Sequence, residues 1–181
     1  MKNIVLTGFM GTGKTAVSRE LSGILGWNSI DIDCEIEKSR GMKIAEIFRE
    51  FGEQAFRDIE TEMIKKISMN RNLIISTGGG AVLRQENMDA LRETGVIVCL
   101  SATPETIFAR TSKSNDRPLL QVEDPMKKIS ELLSFRKPYY EKADIMIDTG
   151  GKTPLVIAEE IIEKVKKYEG RREDGKSNCK A

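Results

Sequence analysis

One segment near the amino terminus constrains the fold of this chain more than any other feature: it reads Gly8-Phe9-Met10-Gly11-Thr12-Gly13-Lys14-Thr15. The segment joins a short β-branched run, Asn3–Thr7, to a stretch with helical apolar spacing that begins at Lys14. Glycines with this Walker A spacing let backbone N–H groups turn around a phosphate at the partially positive start of a helix. The sequence therefore predicts a nucleotide phosphate loop. Lys14 is expected to reach the β- and γ-phosphate oxygens, and Thr15 is expected to ligate Mg²⁺.

Strand-like and helix-like apolar patterns alternate along the rest of the chain. The runs 73–77 and 96–100 are apolar on both faces, which is typical of interior strands of a parallel sheet, and 29–33 and 145–148 resemble shorter strands. Helical segments lie between them, several of them opened by proline. The pattern predicts an α/β fold with three layers in one domain, residues 1–168.

Two polar stretches interrupt or end this pattern. Residues 111–123 are long and polar enough to predict a lid over the site. Residues 169–181 lack apolar periodicity, so the last helix is expected to end at Tyr168 and a flexible polar tail to follow.

Composition excludes several classes of function. The net charge of +1 gives no field for holding a polyanion, so we expect no nucleic-acid partner. The chain has no histidine, which removes histidine bases and most zinc sites and leaves Asp or Glu as the proton acceptor. Its cysteines, Cys34, Cys99 and Cys179, are far apart and are expected to be free thiols in a reducing compartment. No apolar run is long enough to cross a membrane, so we expect a soluble, cytoplasmic protein.

Charged residues and glycines downstream of the loop are candidates for an acceptor site. Asp31 and Asp33 are expected to share one face of a strand end, although Asp33 alone would also suit a helix N-cap. The run Ser76-Thr77-Gly78-Gly79-Gly80 follows a strand and would admit a ligand against bare backbone, or simply form a turn.

Three arginines have both ordinary and functional interpretations. Arg57 and Glu60 have the spacing of a surface ion pair, and Arg136 could be a solvated helix charge. Two arginines could instead hold a small carboxylate, in the forked geometry that lysine lacks. Arg117, in the polar stretch, could act as an arginine finger on the γ-phosphate.

A GTPase is disfavoured. Asp148-Thr149-Gly150-Gly151 follows an apolar run, as the magnesium segment of GTPases does, but it lies on the last strand. The chain also contains no NKxD sequence to recognise guanine.

Taken together, these motifs resemble shikimate kinase, in order and in spacing, over about residues 3–168. The resemblance rests on the phosphate loop, Asp31-Ile32-Asp33, Phe56-Arg57 with Glu60, Gly78 to Ala81, Arg117-Pro118-Leu119-Leu120, and Arg136 before Pro138-Tyr139-Tyr140. It implies a P-loop kinase of the nucleoside-monophosphate-kinase-like fold, with a five-stranded parallel sheet in the order 2-3-1-4-5. It further implies ATP-dependent phosphorylation of the shikimate 3-hydroxyl, in aromatic amino acid biosynthesis.

The resemblance also implies roles for individual residues. Shikimate would be held by Asp33 on its hydroxyls, by Arg57 and Arg136 on its carboxylate, and by Gly79. The phosphates of ATP and its magnesium would be held by Gly11, Thr12, Gly13, Lys14, Thr15 and Ala16, and Asp31 would hold a metal-bound water. Arg110 and Lys152 would lie near adenine, and Arg117 would reach from the lid to the phosphate. A Walker B aspartate is missing after the third strand, as in the resembled family.

Two alternatives remain open. Another small-acceptor kinase of the same fold, for gluconate or a nucleoside monophosphate, would differ in its acceptor. A P-loop regulatory module would hold nucleotide without turnover, but it would have no need of Asp33, Arg57 and Arg136. The predicted catalytic group is Asp33, Lys14 and Arg117, and a monomer is the expected state.

Overall fold

The computed structural model describes residues 2–112 and 122–177, with side chains up to Arg171. Arg117, most of the predicted lid and Cys179 lie outside the described residues. Within them, strands and helices alternate as the sequence pattern predicts. The elements are β1 (Asn3–Gly8), α1 (Lys14–Leu25), β2 (Asn28–Asp31), α2 (Ile32–Arg40), α3 (Ile44–Ser68), β3 (Leu73–Ser76), α4 (Gln85–Thr94), β4 (Gly95–Ser101), α5 (Pro104–Thr111), α6 (Pro125–Tyr140), β5 (Ile145–Asp148) and α7 (Pro154–Ser177).

The five strands form one parallel sheet in the order β2-β3-β1-β4-β5, which confirms the predicted topology. β1 and β3 are buried along their whole length, because helices cover both faces of the sheet. One apolar cluster includes Val5 and Ile75, and another, built around Ile4 and Ile74, packs against α1 and α7. Adjacent residues of one strand thus enter different cores, as strand alternation requires.

The order of the strands places three loops side by side. The phosphate loop follows β1, the start of α2 follows β2, and the triple glycine follows β3, so all three lie at the carboxyl edge of the sheet. Ligands of open α/β sheets bind at this edge, beside the strands where the order changes direction. In register, Asp31 at the end of β2 lies opposite Ser76 at the end of β3.

Two local predictions differ from the structure. β2 ends at Asp31, and Asp33 lies in the first turn of α2, so the prediction that the two carboxylates share one face of a strand is wrong. The reason is that the Asp31 carboxylate accepts a hydrogen bond from the Cys34 N–H at 3.2 Å and caps the helix two residues earlier than expected.

The last helix extends from its predicted end at Tyr168 to Ser177. Apolar periodicity stops there, but five of the nine residues from 169 to 177 are Glu, Arg or Lys, which favour helix, and a helix can continue without a buried stripe. The Glu169 carboxylate also accepts a hydrogen bond from the Lys2 N–H at 2.7 Å. Over the residues that the structure describes, no helix is both long and apolar enough to span a membrane.

Candidate active site

A cleft of about 540 Å³ opens at the carboxyl edge of the sheet. It brings together most of the residues that the sequence singled out, although they come from distant segments. It is lined by Met10, Gly11, Gly13, Lys14, Thr15, Ala16, Asp31, Asp33, Ile44, Phe48, Phe56, Arg57, Glu60, Ser76, Thr77, Gly78, Gly79, Gly80, Arg110 and Arg136.

The phosphate loop forms one half of this cleft. Gly11 and Gly13 have positive φ values of 78° and 96°, which favour glycine and let the chain curl into the start of α1. The Lys14 ammonium donates to the carbonyls of Gly8 at 2.7 Å and Phe9 at 3.1 Å, so it lies over the loop. Thr12 does not line the cleft, because its buried hydroxyl donates to the Phe9 carbonyl at 2.7 Å and braces the loop from within.

Asp33 faces the loop from the first turn of α2. Its Oδ1 is buried and accepts no hydrogen bond within the part of the chain that the structure describes. Burial, and then the nearby Asp31 carboxylate, raise the pKa of Asp33 to about 6, although Lys14 and Arg57 act in the opposite direction. A carboxylate whose pKa lies close to neutrality suits a general base.

Arg57 and Glu60 form a buried ion pair and not the surface pair that their spacing alone suggests. Arg57 Nη1 donates to Glu60 Oε2 at 2.7 Å, with the Arg57 side chain 13% exposed and that of Glu60 fully buried. The guanidinium also lies over the Phe56 ring, 5.1 Å from its centroid. Burial raises the pKa of Glu60, and the Arg57 charge opposes this rise.

The triple glycine explains how these charges come so close to the loop after β3. A Cβ at position 80 would lie 2.5 Å from Nη2 and 2.7 Å from Nη1 of Arg57. A Cβ at position 78 would lie 3.0 Å from Asp33 Oδ1 and 3.2 Å from Glu60 Oε1. The space that side chains would fill is therefore occupied by the charged groups of the site.

Arg136 also lines the cleft, beside the triple glycine. It is buried, and therefore is not the solvated helix charge that the sequence alone would allow. It is only 8% exposed and its guanidinium lies 5.6 Å from the centroid of the Phe9 ring. A Cβ at Gly79 would lie 3.2 Å from Arg136 Nη1. Beside it, the Tyr140 hydroxyl donates to the Gly79 carbonyl at 2.8 Å, and burial raises the pKa of Tyr140 to about 12.

On the phosphate-loop side of the cleft, Arg110 connects α5 to the phosphate loop and to the loop after β5. It donates to the Gly11 carbonyl at 3.3 Å and to the side chain and carbonyl of Thr149 at 3.0 and 2.9 Å. Lys152 lies further away, does not line the cleft and pairs with Glu160 at 2.7 Å.

Sequence reasoning missed several contributors to this site. In the sequence, Tyr140 stands out only as the end of the Pro138-Tyr139-Tyr140 motif. Nothing near it in the sequence predicts that its hydroxyl reaches the Gly79 carbonyl, 61 positions earlier. Ile44 and Phe48 form an apolar wall that looks like ordinary helix core in the sequence. The sequence does carry a signal for the carboxylates around Arg57. The spacing of Glu53, Arg57 and Glu60 places all three on one side of a helix.

A parallel α/β sheet, a glycine phosphate loop and a facing wall of Asp and Arg side chains are the features of a P-loop kinase that acts on a small acceptor. The family model described as shikimate kinase matches residues 10–166. The chain is 55% identical over 177 residues to the shikimate kinase of Thermodesulfovibrio yellowstonii, covering 98% of this chain and all of that one. It is 51% identical over 171 residues to the shikimate kinase of Caldanaerobacter subterraneus subsp. tengcongensis, covering 94% of this chain and all of the relative.

Solved structures agree. The shikimate kinase from Acinetobacter baumannii in complex with shikimate superposes with a TM-score of 0.87 at 37% identity, covering 91% of this chain and 93% of that one. The chain therefore belongs to the shikimate kinase family. Its activity is the ATP-dependent phosphorylation of shikimate.

Proposed function

We propose that Asp33, Arg57, Gly79 and Arg136 bind shikimate, and that the phosphoryl group of ATP passes to the shikimate 3-hydroxyl beside Asp33. The observation that carries this assignment is the convergence of the Asp33 carboxylate, the largely buried Arg57 guanidinium and the buried Arg136 guanidinium on the triple glycine next to the phosphate loop. Two arginines suit one carboxylate because each presents a fork of N–H donors. The apolar wall of Ile44, Phe48 and Phe56 would face the acceptor ring.

Asp33 orients the attacking hydroxyl and takes its proton as the new P–O bond forms and the bond from the γ-phosphorus to ADP breaks. Such transfers depend chiefly on positioning and on neutralising charge. Lys14 lies over the phosphate loop and would neutralise negative charge on the transferring group. Arg57 and Arg136 fix the acceptor so that its hydroxyl faces the donor.

ATP would lie along the phosphate loop, held by Gly11, Thr12, Gly13, Lys14, Thr15 and Ala16. The loop leads directly into the start of α1, and the partially positive N-terminus of a helix is a favourable place for phosphate oxygens. Arg110, the loop 148–154 and Lys152 would border adenine. The finger role of Arg117 stays a prediction from the sequence.

A magnesium ion suits the donor set on this side of the cleft. Thr15 offers a hydroxyl and Asp31 a carboxylate, both of which line the cleft, and Mg²⁺ prefers oxygen ligands shared with substrate phosphates and waters. Thr15 would hold the ion directly and Asp31 through a water. When bound, the ion would neutralise phosphate charge.

The cellular setting that we propose is a cytoplasmic monomer without nucleic-acid or membrane partners. The exposed Cys34 and the buried Cys99 are both free thiols, in keeping with a reducing compartment. The net charge of +1 offers little attraction for a polyanion.

The test is ADP release from Mg-ATP with shikimate, gluconate, a nucleoside monophosphate or no acceptor. We expect turnover with shikimate alone, and loss of that turnover in Asp33→Asn. Comparable turnover with gluconate would contradict the carboxylate clamp as the source of specificity. Turnover like that of the wild type in Asp33→Asn would contradict the role of Asp33.

A further inference from the structure

Two carboxylates of its own helix hold Arg57 from different sides. Glu60 accepts from Nη1 at 2.7 Å, and Glu53 accepts from Nε at 3.4 Å and from Nη2 at 3.2 Å. These bonds use three of the five N–H groups of a guanidinium. Within residues 2–112 and 122–177, one N–H on Nη1 and one on Nη2 are thus left for a further acceptor. Two N–H groups on neighbouring nitrogens can bind both oxygens of a carboxylate.

Glu53 does not occupy the place of the acceptor. Arg57 and Glu60 line the cleft, whereas Glu53 does not, and its side chain is 66% exposed. Its carboxylate therefore approaches the guanidinium from the solvent side. Arg57 itself lines the cleft, so a ligand bound there can reach its guanidinium.

A glycine sets the position of Glu53. Gly52 interrupts α3 with φ 81° and ψ 172°, a conformation that favours glycine, so Glu53 begins the second part of the helix. A carboxylate is favoured in a first helical turn, and a residue four positions further on lies on the same face. This geometry brings Glu53 to the Nε and Nη2 edge of Arg57.

We propose that Glu53 is a positioning residue for acceptor binding: together with Glu60 it fixes the plane of the Arg57 guanidinium, so that the two remaining N–H groups face the shikimate carboxylate. The inference rests on the proposed role of Arg57. The hydrogen bond to Glu60 fixes a single nitrogen, and Phe56 packs against the guanidinium; a second anchor at the opposite edge further restricts rotation of its plane. Because the arginine side chain is already ordered before shikimate binds, less conformational entropy is lost on binding.

The experiment measures KM and kcat for shikimate and for its uncharged methyl ester in wild type, Glu53→Ala, Glu53→Gln and a matched control, Glu50→Gln. Glu50 is a half-exposed carboxylate of the same helix that pairs with Arg49 and does not contact Arg57. We expect Glu53→Ala to raise KM for shikimate about three- to tenfold. We expect a smaller rise in Glu53→Gln, because its amide oxygen can still accept a hydrogen bond. In both variants kcat and KM for ATP stay within about twofold of wild type, and Glu50→Gln behaves like wild type.

The ester separates positioning from a general effect on the fold. Because the ester has no charge for Arg57 to hold, all four proteins should show similar KM values for it. An unchanged or lowered KM for shikimate in Glu53→Ala, or an equal rise with the ester, would overturn the proposal. If wild type itself does not discriminate between shikimate and the ester, the carboxylate clamp fails; if it discriminates but Glu53 has no effect, only the inference about Glu53 fails.

Discussion

The two halves of the cleft are built in different ways. The donor half is built around one contiguous segment, residues 8–15, which is shaped by glycine backbone conformations and the start of a helix. The acceptor half is assembled from α2, α3, α6 and the loop after β3, and it consists of buried charged side chains packed against glycines. The donor half therefore depends on local chain geometry, whereas the acceptor half depends on tertiary packing. Changes to the acceptor half should affect acceptor use and stability while leaving ATP binding nearly intact.

The sharpest separation of the two halves is expected from Asp33→Asn. The amide cannot take the hydroxyl proton, so kcat should fall about 10²- to 10⁴-fold while KM for ATP changes little. Steady-state kinetics of both substrates check this, with Cys34→Ser, at the exposed neighbouring position, as the control. A fall in ATP affinity that matches the fall in kcat would show that the halves are not separable.

Arg57→Ala should weaken acceptor binding and also destabilise the fold. It removes one arm of the clamp, and we expect KM for shikimate to rise about 10- to 100-fold. It also leaves the Glu60 carboxylate buried without this partner, which should lower the free energy of unfolding by about 3–5 kcal/mol. Urea unfolding and kinetics measure the two effects. Adding Glu60→Ala should restore part of the stability and none of the affinity.

The raised pKa of Asp33 predicts that this acceptor-half residue makes the stability of the protein depend on pH. Because folding raises this pKa from 3.8 to about 6, the contribution of Asp33 to stability is present below pH 4 and is lost as the pH rises through 6. Asp33→Asn should therefore unfold at a higher temperature than wild type at pH 8, with a gain of at most about 3 kcal/mol. The two proteins should match at pH 4. Thermal unfolding in metal-free buffer checks this, and a gain that is the same at both pH values would contradict it.

The smallest effect is expected at the edge of the donor half. Lys152 pairs with Glu160 and does not line the cleft, so Lys152→Ala should raise KM for ATP no more than about threefold with kcat unchanged. ATP titrations of the initial rate measure this. A tenfold rise would place the ammonium in direct contact with the nucleotide.

The same contrast explains what the sequence could predict. The alternation of strands and helices and the phosphate loop follow from patterns within a few residues, whereas the strand order was implied by the family resemblance; the structure confirms all three. Asp33 was expected at the cleft and lies there, but on a helix, because the Asp31 cap could not be foreseen from strand alternation. The burial of Glu60 and the contact of Tyr140 with Gly79 depend on packing between distant segments, which no local pattern reports.

Gly80→Ala tests most directly whether packing against the triple glycine builds the acceptor half. The backbone at position 80 suits alanine, with φ −97° and ψ −9°, but the new Cβ would displace the Arg57 guanidinium. Calorimetric titration with shikimate and with ATP should show shikimate affinity reduced at least about tenfold and ATP affinity within about twofold of wild type. Gly23→Ala, on an exposed face of α1 with open space around it, is the matched control. Unchanged shikimate affinity in Gly80→Ala, or an equal loss for both ligands, would contradict the account.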